Sequence, residues 1–454
     1  MFEPFEPSDA QPWGMRRIGH LLRRAGFGAT DDWVDALKPA TPADALSTLL
    51  EYDVADDPLN PYLDKLEGYL TFGEPKSVQG WWVFRMLNTT RPMQEKIALF
   101  WHNHFATSAG KVTNIRLMHQ QIELFRRMGL GSFRDLLIEV GKDPAMLIWL
   151  DGNTNQKGKP NENYAREVME LFTLGIGTYT EKDVKELSRA FTGWQIQGDK
   201  GRLNPSLFDD GEKEIFGKRD RIDAEGAVDL LLERPTAPKF IARKLLREFV
   251  HPAPTDAMID HYGRRLVASK WEVKPVLREM LASRLFFSDW AYRSRIKSPI
   301  ELSVGAVAAL GGKVNTGFVR DSSAKMGQDL LFPPNVKGWD GGEAWINANT
   351  VLMRFNFGLS LATQRNNEFA RPSDIQAWIS RHNIKSAEDA VDQYCRLFLD
   401  GEVTADVREK FVAYLKSDPK GNVQEKIKLD PGMINSKVRG LLHLIMSTPE
   451  YQLA

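Results

Sequence analysis

Two histidines in the stretch 100–105 have residue types and a spacing that could perform chemistry. His102 and His104 flank Asn103, and imidazole can bind a metal ion or act as a general base near neutral pH. On a strand the two rings would share a face, whereas on a helix residues two apart point about 200° apart. Both rings could therefore bind one metal ion only if the expected helix stops near Asn103. The alternative is a pair of hydrogen-bonded histidines in an aromatic-rich core.

A second candidate is a stripe of polar side chains on the helix expected over residues 161–174. Asn163, Glu167 and Glu170 are three or four residues apart, so they line one side of a helix. Because the stripe borders the apolar face, a carboxylate there can be partly desolvated, and its pKa raised towards values useful in acid–base catalysis. The alternative is an exposed face whose carboxylates pair with Arg166.

The polar turn before this helix has the spacing of a calcium-binding loop. Asp151, Asn153, Asn155 and Glu162 occupy the first, third, fifth and twelfth positions of such a loop. However, Gln156 stands where the sharp turn needs glycine, and a lysine occupies a ligand position. A polar turn leading into the next helix is therefore the favoured interpretation.

The third candidate is the loop over residues 332–347, which carries Trp339 and Trp345 among polar residues. Prolines stiffen its beginning, and its glycines permit conformations that other residues avoid. Indole faces stack on flat or sugar-like groups, while amides and an ammonium group can orient such a ligand. The favoured interpretation is a ligand platform, and the alternative is a compact loop that inserts its tryptophans into the core.

Helical periodicity dominates the elements that must position these residues. Thr41 and Thr180 each precede an aspartate by three residues, which is the spacing of a capping box at a helix start. Strand-like alternation is scarce, and only the irregular stretch 195–219 could form a short hairpin. The sequence therefore predicts an all-α, multi-helix assembly. We expect a main helical domain over residues 1–365 and a C-terminal helical annex over 366–454 packed on it.

The composition excludes several classes of protein. In 454 residues, 60 lysines and arginines balance 60 aspartates and glutamates, which argues against general binding to nucleic acid. Cys395 is the only cysteine, so an internal disulfide or a Cys-rich metal site is excluded. No apolar run is long enough to span a membrane, and the acidic N-terminus does not resemble a signal peptide. We expect a cytoplasmic protein as the sequence is written, or an exported one if a leader has been removed.

Short segments along nearly the whole chain carry a family resemblance. They are HLLRRAGFG (20–28), WHNHF (101–105), PNENYARE (160–167), ELFTLG (170–175), YTE (179–181), AFTGW (190–194) and FPPNVKGW (332–339). In these segments the chain resembles the bacterial domain-of-unknown-function 1800 family, whose activity is unassigned. The resemblance implies a helical fold and a companion protein similar to the sulfatase–phosphatase superfamily, and hence work on envelope polymers. Many relatives resemble exported proteins.

The family segments coincide with the polar clusters, and we expect these clusters to converge on one cleft. The hypothesis is a hydrolase that acts on a carbohydrate-like or envelope polymer, either directly or through one divalent metal ion. The residues expected to act in catalysis, and to bind the metal ion if there is one, are His102, His104, Glu167 and Glu170. Those expected to bind substrate are Asn103, Asn161, Asn163, Arg166, Trp194, Asn335, Lys337, Trp339, Trp345 and Asn347. The alternative is a non-catalytic binding or accessory protein for the companion enzyme.

Overall fold

The predicted all-α class is confirmed. The computed structural model describes residues 1–53, 57–67, 71, 73–311, 315–363, 375–418, 422–424 and 430–454. The structure is 59% helical, and in this described part the strands are confined to two small antiparallel hairpins. Both hairpins lie at the irregular stretch that was expected to form one.

The helices of the first third build the frame around the histidine pair. They are α1 Met15–Arg24, α2 Asp31–Leu37, α3 Pro42–Leu50, α4 Asn60–Glu67, α5 Pro75–Asn88, α6 Pro92–His104, α7 Ile115–Met128, α8 Phe133–Lys142 and α9 Pro144–Trp149. The predicted capping box at Thr41 is present, because its side chain accepts from the amide of Asp44 and the Asp44 carboxylate accepts from the Thr41 amide.

The middle third contains the carboxylate helix and both hairpins. Its elements are α10 Asn163–Glu167, a π-helical segment Val168–Thr173, α11 Glu181–Ala190, β1 Trp194–Gln197, β2 Lys200–Leu203, β3 Lys213–Ile215, β4 Lys218–Asp220, α12 Ala224–Leu232, α13 Thr236–Phe249, α14 Asp256–Ala268 and α15 Val273–Ala282. The second capping box, Thr180 with Asp183, opens α11 as predicted. In the first hairpin, Trp194 lies opposite Leu203.

The last third packs against the first. Its helices are α16 Pro299–Ala309, α17 Thr316–Lys325, α18 Ala348–Thr363, α19 Ile375–Arg381, α20 Ala387–Leu399, α21 Ala405–Lys416, α22 Pro431–Met433, α23 Arg439–Met446 and α24 Pro449–Gln452, with a π-helical segment Ile434–Val438 before α23. Arg23 of α1 pairs with Asp400 at 2.6 Å, and Lys297 donates to the carbonyl of Tyr451 at 2.6 Å. The predicted boundary near residue 365 lies outside the described residues and stays a prediction.

Helix α6 lies at the centre of the hydrophobic core. Every residue of α6 except Asn103 is buried, which is the pattern of a helix surrounded by protein on all sides. Its buried polar groups have partners, since Glu95 accepts from the indole of Trp82 at 3.0 Å and from the guanidinium of Arg126 at 2.8 Å. The histidine pair therefore ends a core helix. None of the described helices combines the length and the apolar character needed to cross a membrane.

Candidate functional site

The two histidines point to opposite sides of α6. The helix continues to His104, so the geometry under which both rings could bind one metal ion is not met. On one side, Nε2 of His102 accepts from the backbone amide of Leu331 at 3.3 Å. On the other side, Nε2 of His104 donates to the backbone carbonyl of Phe172 at 3.1 Å. Each imidazole therefore holds a different segment of backbone in place.

Both imidazoles are buried among aromatic rings and stay neutral. Burial lowers the pKa of His102 to about 4, and the ring has edge contacts with Trp82 and Trp339 at 5.6 Å between centroids. Burial also lowers the pKa of His104 well below its usual value, and the charge of Lys244 lowers it further. With exposures of 0% and 3%, neither ring can contact a substrate in this structure. The arrangement corresponds to the alternative of hydrogen-bonded core histidines.

Asn103 connects the end of α6 to the tryptophan loop. Its side-chain oxygen accepts from the amide of Trp339 at 2.7 Å, and its side-chain nitrogen lies 3.4 Å from the Trp339 carbonyl. Gly338 has φ +87°, and a Cβ there would lie 2.3 Å from the Asn103 carbonyl oxygen, so only glycine fits this approach. Asn103, which we expected to bind substrate, therefore holds the loop.

The tryptophans of the loop are inserted into the protein. Trp339 and Trp345 are each 7% exposed, so neither offers a ring face for stacking, and the expected ligand platform is not formed by these rings. The polar residues around them do reach the surface. Asn335 and Asn347 are exposed and accept from nearby backbone amides, and Lys337 pairs with Asp340. The loop therefore packs its rings inward and presents its polar groups outward.

The carboxylate stripe, defined as Asn163, Glu167 and Glu170, lies where the α-helix passes into the π-helical segment. Leu174 donates to the carbonyl five residues earlier, that of Met169, at 2.8 Å, which is the π-helical pattern. The hydroxyl of Thr173 also donates five residues back. Helical segments of this kind are rare and occur frequently at functional sites.

Arg166 does not neutralise the stripe. It binds Glu181 through two hydrogen bonds at 2.9 and 2.7 Å, and Glu162 at 3.3 Å. In the part of the chain that the structure describes, no lysine or arginine is paired with Glu167 or Glu170. The expected alternative, a stripe whose carboxylates pair with arginine, is therefore not what forms.

Glu167 is partly buried and its electrostatic surroundings favour the protonated form. Burial raises the pKa of Glu167, the neighbouring Glu170 raises it further, and Arg166 lowers it. Glu170 accepts a hydrogen bond from the hydroxyl of Tyr179 at 2.7 Å. Tyr179 also lines a cleft of about 540 Å³, together with Lys182, Glu214 and Arg234 among others. The stripe thus reaches this cleft through Tyr179.

The opposite end of the stripe meets the polar turn before α10. Asn163 donates to the carboxylate of Asp151 at 3.2 Å, and the ammonium of Lys111 binds the same carboxylate at 2.8 Å. Lys111 therefore stands where a cation would neutralise Asp151, which agrees with the favoured interpretation of a polar turn. Asn161 helps to build the turn, since its amide donates to the side chain of Asn155 at 2.9 Å.

Trp194 begins strand β1 and is only partly buried. The next residue, Gln195, donates to the carbonyl of Asn153 at 2.7 Å, which ties the hairpin to the polar turn. Trp194 is therefore the one predicted tryptophan whose ring is partly open to solvent and lies on an element that contacts the turn before the stripe.

The four predicted metal ligands do not form a set. In the described ranges, no group of three or more histidine, cysteine, aspartate or glutamate side chains is arranged to hold a metal ion. The reason lies in α6, which aims the two imidazoles apart and engages each with backbone. The metal-dependent version of the hypothesis is corrected accordingly, and the carboxylates are considered without it.

A larger cleft lies away from all the predicted residues. It has a volume of about 940 Å³ and is bounded by α7, α8 and the turn between β1 and β2. Asp143 lies at its edge, accepts from Gln121 at 2.7 Å and from the amide of Met146 at 3.0 Å, and has a pKa raised to about 7 by burial. No motif spacing marks Asp143, because its surroundings come from three elements that are distant in sequence.

The comparison with family models decides the membership that the motif segments suggested. A model described as a protein of unknown function, DUF1800, matches residues 20–453. The chain belongs to this family. All seven motif segments of this DUF1800 protein lie within the match, including those that contain the histidine pair, the carboxylate stripe and the tryptophan loop. No curated protein and no solved structure matches the chain.

Proposed function

We propose that this DUF1800 protein is a hydrolase whose acid–base pair is Glu167 and Glu170. The observation that carries the proposal is that both carboxylates lack a cationic partner among the described residues, although Arg166 lies between them in sequence. Arg166 is held instead by Glu162 and Glu181. Leaving two neighbouring carboxylates unpaired destabilises a fold, and such arrangements are typical of sites that use the charge.

The π-helical segment supports the same proposal. A π-helix is less stable than an α-helix, and here it contains Glu170 and immediately follows Glu167. The hydrogen bond from His104 holds the carbonyl of Phe172, within the same segment, against the buried end of α6. A costly backbone conformation is thus kept in place by the core at the position of the carboxylate pair.

The two carboxyl groups suit complementary roles. Glu167, whose pKa is raised, would donate a proton to the leaving oxygen as the bond between sugar carbon and oxygen breaks. Glu170, oriented by Tyr179, would accept a proton from the water molecule that attacks the same carbon. The net reaction adds one water molecule across a glycosidic bond, and Tyr179 positions Glu170.

The cleft beside Tyr179 supports a polar, hydroxyl-rich substrate. Its lining offers hydroxyl, ammonium, carboxylate and guanidinium groups from residues that include Thr178, Lys182, Glu214 and Arg234. Groups of this kind form hydrogen bonds with sugar hydroxyls and orient a ligand that has little apolar surface. A carbohydrate-like polymer therefore fits better than an apolar small molecule.

The test measures the release of reducing ends from peptidoglycan, chitosan, xylan and alginate. We expect the unmodified protein to release reducing ends from at least one polymer, and both Glu167→Gln and Glu170→Gln to reduce the rate at least 100-fold. Tyr179→Phe should give a smaller loss. The matched control is Glu162→Gln, which starts the same helix and pairs with Arg166, and should retain most of the activity.

Melting temperatures give a second reading that needs no substrate. If the pair is functional, Glu167→Gln should leave the melting temperature unchanged or raise it, because it removes an unfavourable charge. A clear drop in melting temperature for both Gln variants, combined with no reaction on any polymer, would mean that the carboxylates are structural.

A second candidate is a non-catalytic binding protein, which the burial of both histidines and both loop tryptophans favours. In that case the motifs build a scaffold, and the partner would be the sulfatase–phosphatase-like companion implied by the family. Analytical ultracentrifugation of the purified pair tests this. A complex that persists unchanged in Glu167→Gln and Glu170→Gln, with no polymer hydrolysis by either protein alone or together, would favour the binding protein.

A further inference from the structure

Three cations gather beside the buried end of α6, at a place that the proposed hydrolase does not use. This cation cluster consists of Lys244 and Arg247 of α13 and Lys337 of the tryptophan loop. Lys244 and Arg247 are three residues apart, so they share a side of their helix. The charge of Lys244 is felt by His104, and the charges of Arg247 and Lys337 are felt by Lys244, which places the cluster next to the histidine pair.

Lys244 is held in a partly buried position. Its ammonium lies 5.5 Å from the centre of the Phe240 ring, which is one turn earlier on α13. Phe240 in turn packs against Gly175, where a Cβ would lie 3.5 Å from the ring. The stem of Lys244 is therefore covered by the core, and its ammonium is kept near the boundary with solvent.

The backbone of Lys337 is also fixed. Its amide donates to the side chain of Asn335 at 2.9 Å, and the following residue, Gly338, fits closely against Asn103. Lys337 thus occupies a defined place beside Lys244, although the two residues are distant in sequence. The cluster is built from two rigid segments and not from chance surface lysines.

The cluster has too few anions to balance it. Lys337 pairs with Asp340, but within the described residues neither Lys244 nor Arg247 has a carboxylate within ion-pairing distance. Burial lowers the pKa of Lys244 to about 8, and the charges of Arg247 and Lys337 contribute to the shift. A partly buried ammonium surrounded by like charges destabilises the fold unless an anion is bound.

We propose that Lys244, Arg247 and Lys337 form a binding site for a tetrahedral oxoanion, that is, a phosphate or sulfate group. Three cations and the carboxylate of Asp340 leave a charge of about two to be balanced, which such a group supplies. A guanidinium offers two parallel N–H donors, and each ammonium offers three, so the donors match an anion with several oxygens better than a halide ion. The site lies beyond the proposed glycosidic chemistry and does not depend on it.

The test titrates the full-length protein at pH 7.0 with sodium phosphate, sodium sulfate, sodium acetate and sodium chloride at constant ionic strength, following melting temperature and heat of binding. We expect saturable stabilisation by phosphate or sulfate, and little effect of acetate or chloride. The phosphate and sulfate arms tell the two anions apart. Affinity should fall at least tenfold between pH 7 and pH 9.5, as Lys244 loses its proton.

Matched variants locate the site. Lys244→Gln should weaken binding at least tenfold, and Arg247→Gln, on the exposed side of the cluster, should weaken it several-fold without affecting the fold. The control is Lys239→Gln on the same helix, whose lysine pairs with Asp260 at 2.8 Å and lies outside the cluster. Equal effects of all four salts, or equal losses in Lys239→Gln and Lys244→Gln, would overturn the proposal.

Discussion

His104 and Phe172 are joined by a 3.1 Å hydrogen bond between the imidazole Nε2 and the backbone carbonyl, inside an aromatic part of the core. Phe172 lies two residues after Glu170, in the π-helical segment. The histidine motif and the glutamate motif therefore do meet, but through backbone support and not through shared contact with a ligand. This relationship explains how two segments nearly 70 residues apart can belong to one site although the imidazole itself is inaccessible.

Replacing His104 should destabilise the protein by leaving a buried carbonyl without a donor. We expect His104→Phe to lower the free energy of unfolding by about 1–3 kcal/mol near pH 7.5, because an unsatisfied buried polar group costs about that much. The deficit should shrink as the pH falls below about 6.5. The unfolded chain binds a proton at His104 there, whereas the folded protein, in which burial holds the pKa of His104 low, does not, so stability tied to neutral His104 is lost at acid pH.

Melting curves of His104→Phe at pH 5.5 and pH 7.5 check this. The control is His251→Phe, because His251 stacks on Trp290 at the surface and should tolerate the change with a smaller loss. A His104→Phe variant as stable as the unmodified protein at pH 7.5 would show that the bond to Phe172 contributes nothing.

Asn103 should act as the fastening of the tryptophan loop. We expect Asn103→Ala to lower the free energy of unfolding by about 2 kcal/mol, since it removes the acceptor for the buried amide of Trp339. The loop should also loosen, giving faster proteolysis near residues 332–347 and a red shift in tryptophan fluorescence. Asn335→Ala, which removes an exposed turn contact in the same loop, serves as the control and should change neither quantity much.

The sequence was sufficient for the fold class because its signals are local. The capping boxes at Thr41 and Thr180 formed as predicted, since both members of each box lie within one turn. Helical periodicity likewise predicted the helices that surround the motifs. The π-helical segment after Glu167 was not predicted, because periodicity does not distinguish it from a continuing α-helix.

The candidate site was harder to predict because its parts depend on packing. For Glu167 and Glu170 the spacing allowed either a salt-bridged face or an unpaired pair, and the outcome was set by Glu181, which lies on the next helix and binds Arg166. Trp339 and Trp345 could equally have been platform or core residues, and Asn103 determines the result by holding the loop inward. In each case the deciding contact comes from an element distant in sequence.

The ion pair between Arg23 and Asp400 should be important for stability, because it joins α1 to the end of α20 in the interior. The two groups are 2.6 Å apart and both are buried, and Asp400 also accepts from the hydroxyl of Tyr292 at 2.8 Å. We expect Asp400→Asn to lower the free energy of unfolding by about 3–5 kcal/mol, since it leaves the guanidinium buried without its anion. Asp392→Asn breaks a surface pair with Arg408 and should cost about 0–1 kcal/mol. Similar melting temperatures for the two variants would contradict this assignment.

Asp143 should make the stability depend on pH in the opposite sense to His104. Burial raises the pKa of Asp143 to about 7, whereas the unfolded chain releases this proton near pH 4. Between these values the folded state binds more protons than the unfolded state, so this residue's contribution to stability falls as the pH rises and becomes constant above about pH 7. Asp143→Asn resembles the protonated carboxyl and can still accept from Gln121 and from the amide of Met146.

We therefore expect the stability of Asp143→Asn, relative to the unmodified protein, to increase between pH 5 and pH 7 by up to about 1.4 kcal/mol per pH unit and then to level off. Melting temperatures at half-unit intervals from pH 5 to pH 8.5 measure this difference. Asp135→Asn changes the net charge equally at an exposed position of α8 and corrects for general charge effects. A pH-independent difference for Asp143→Asn would mean that Asp143 is ionised in the folded protein throughout this range. In that case its bonds to Gln121 and Met146, and not burial, would control its charge.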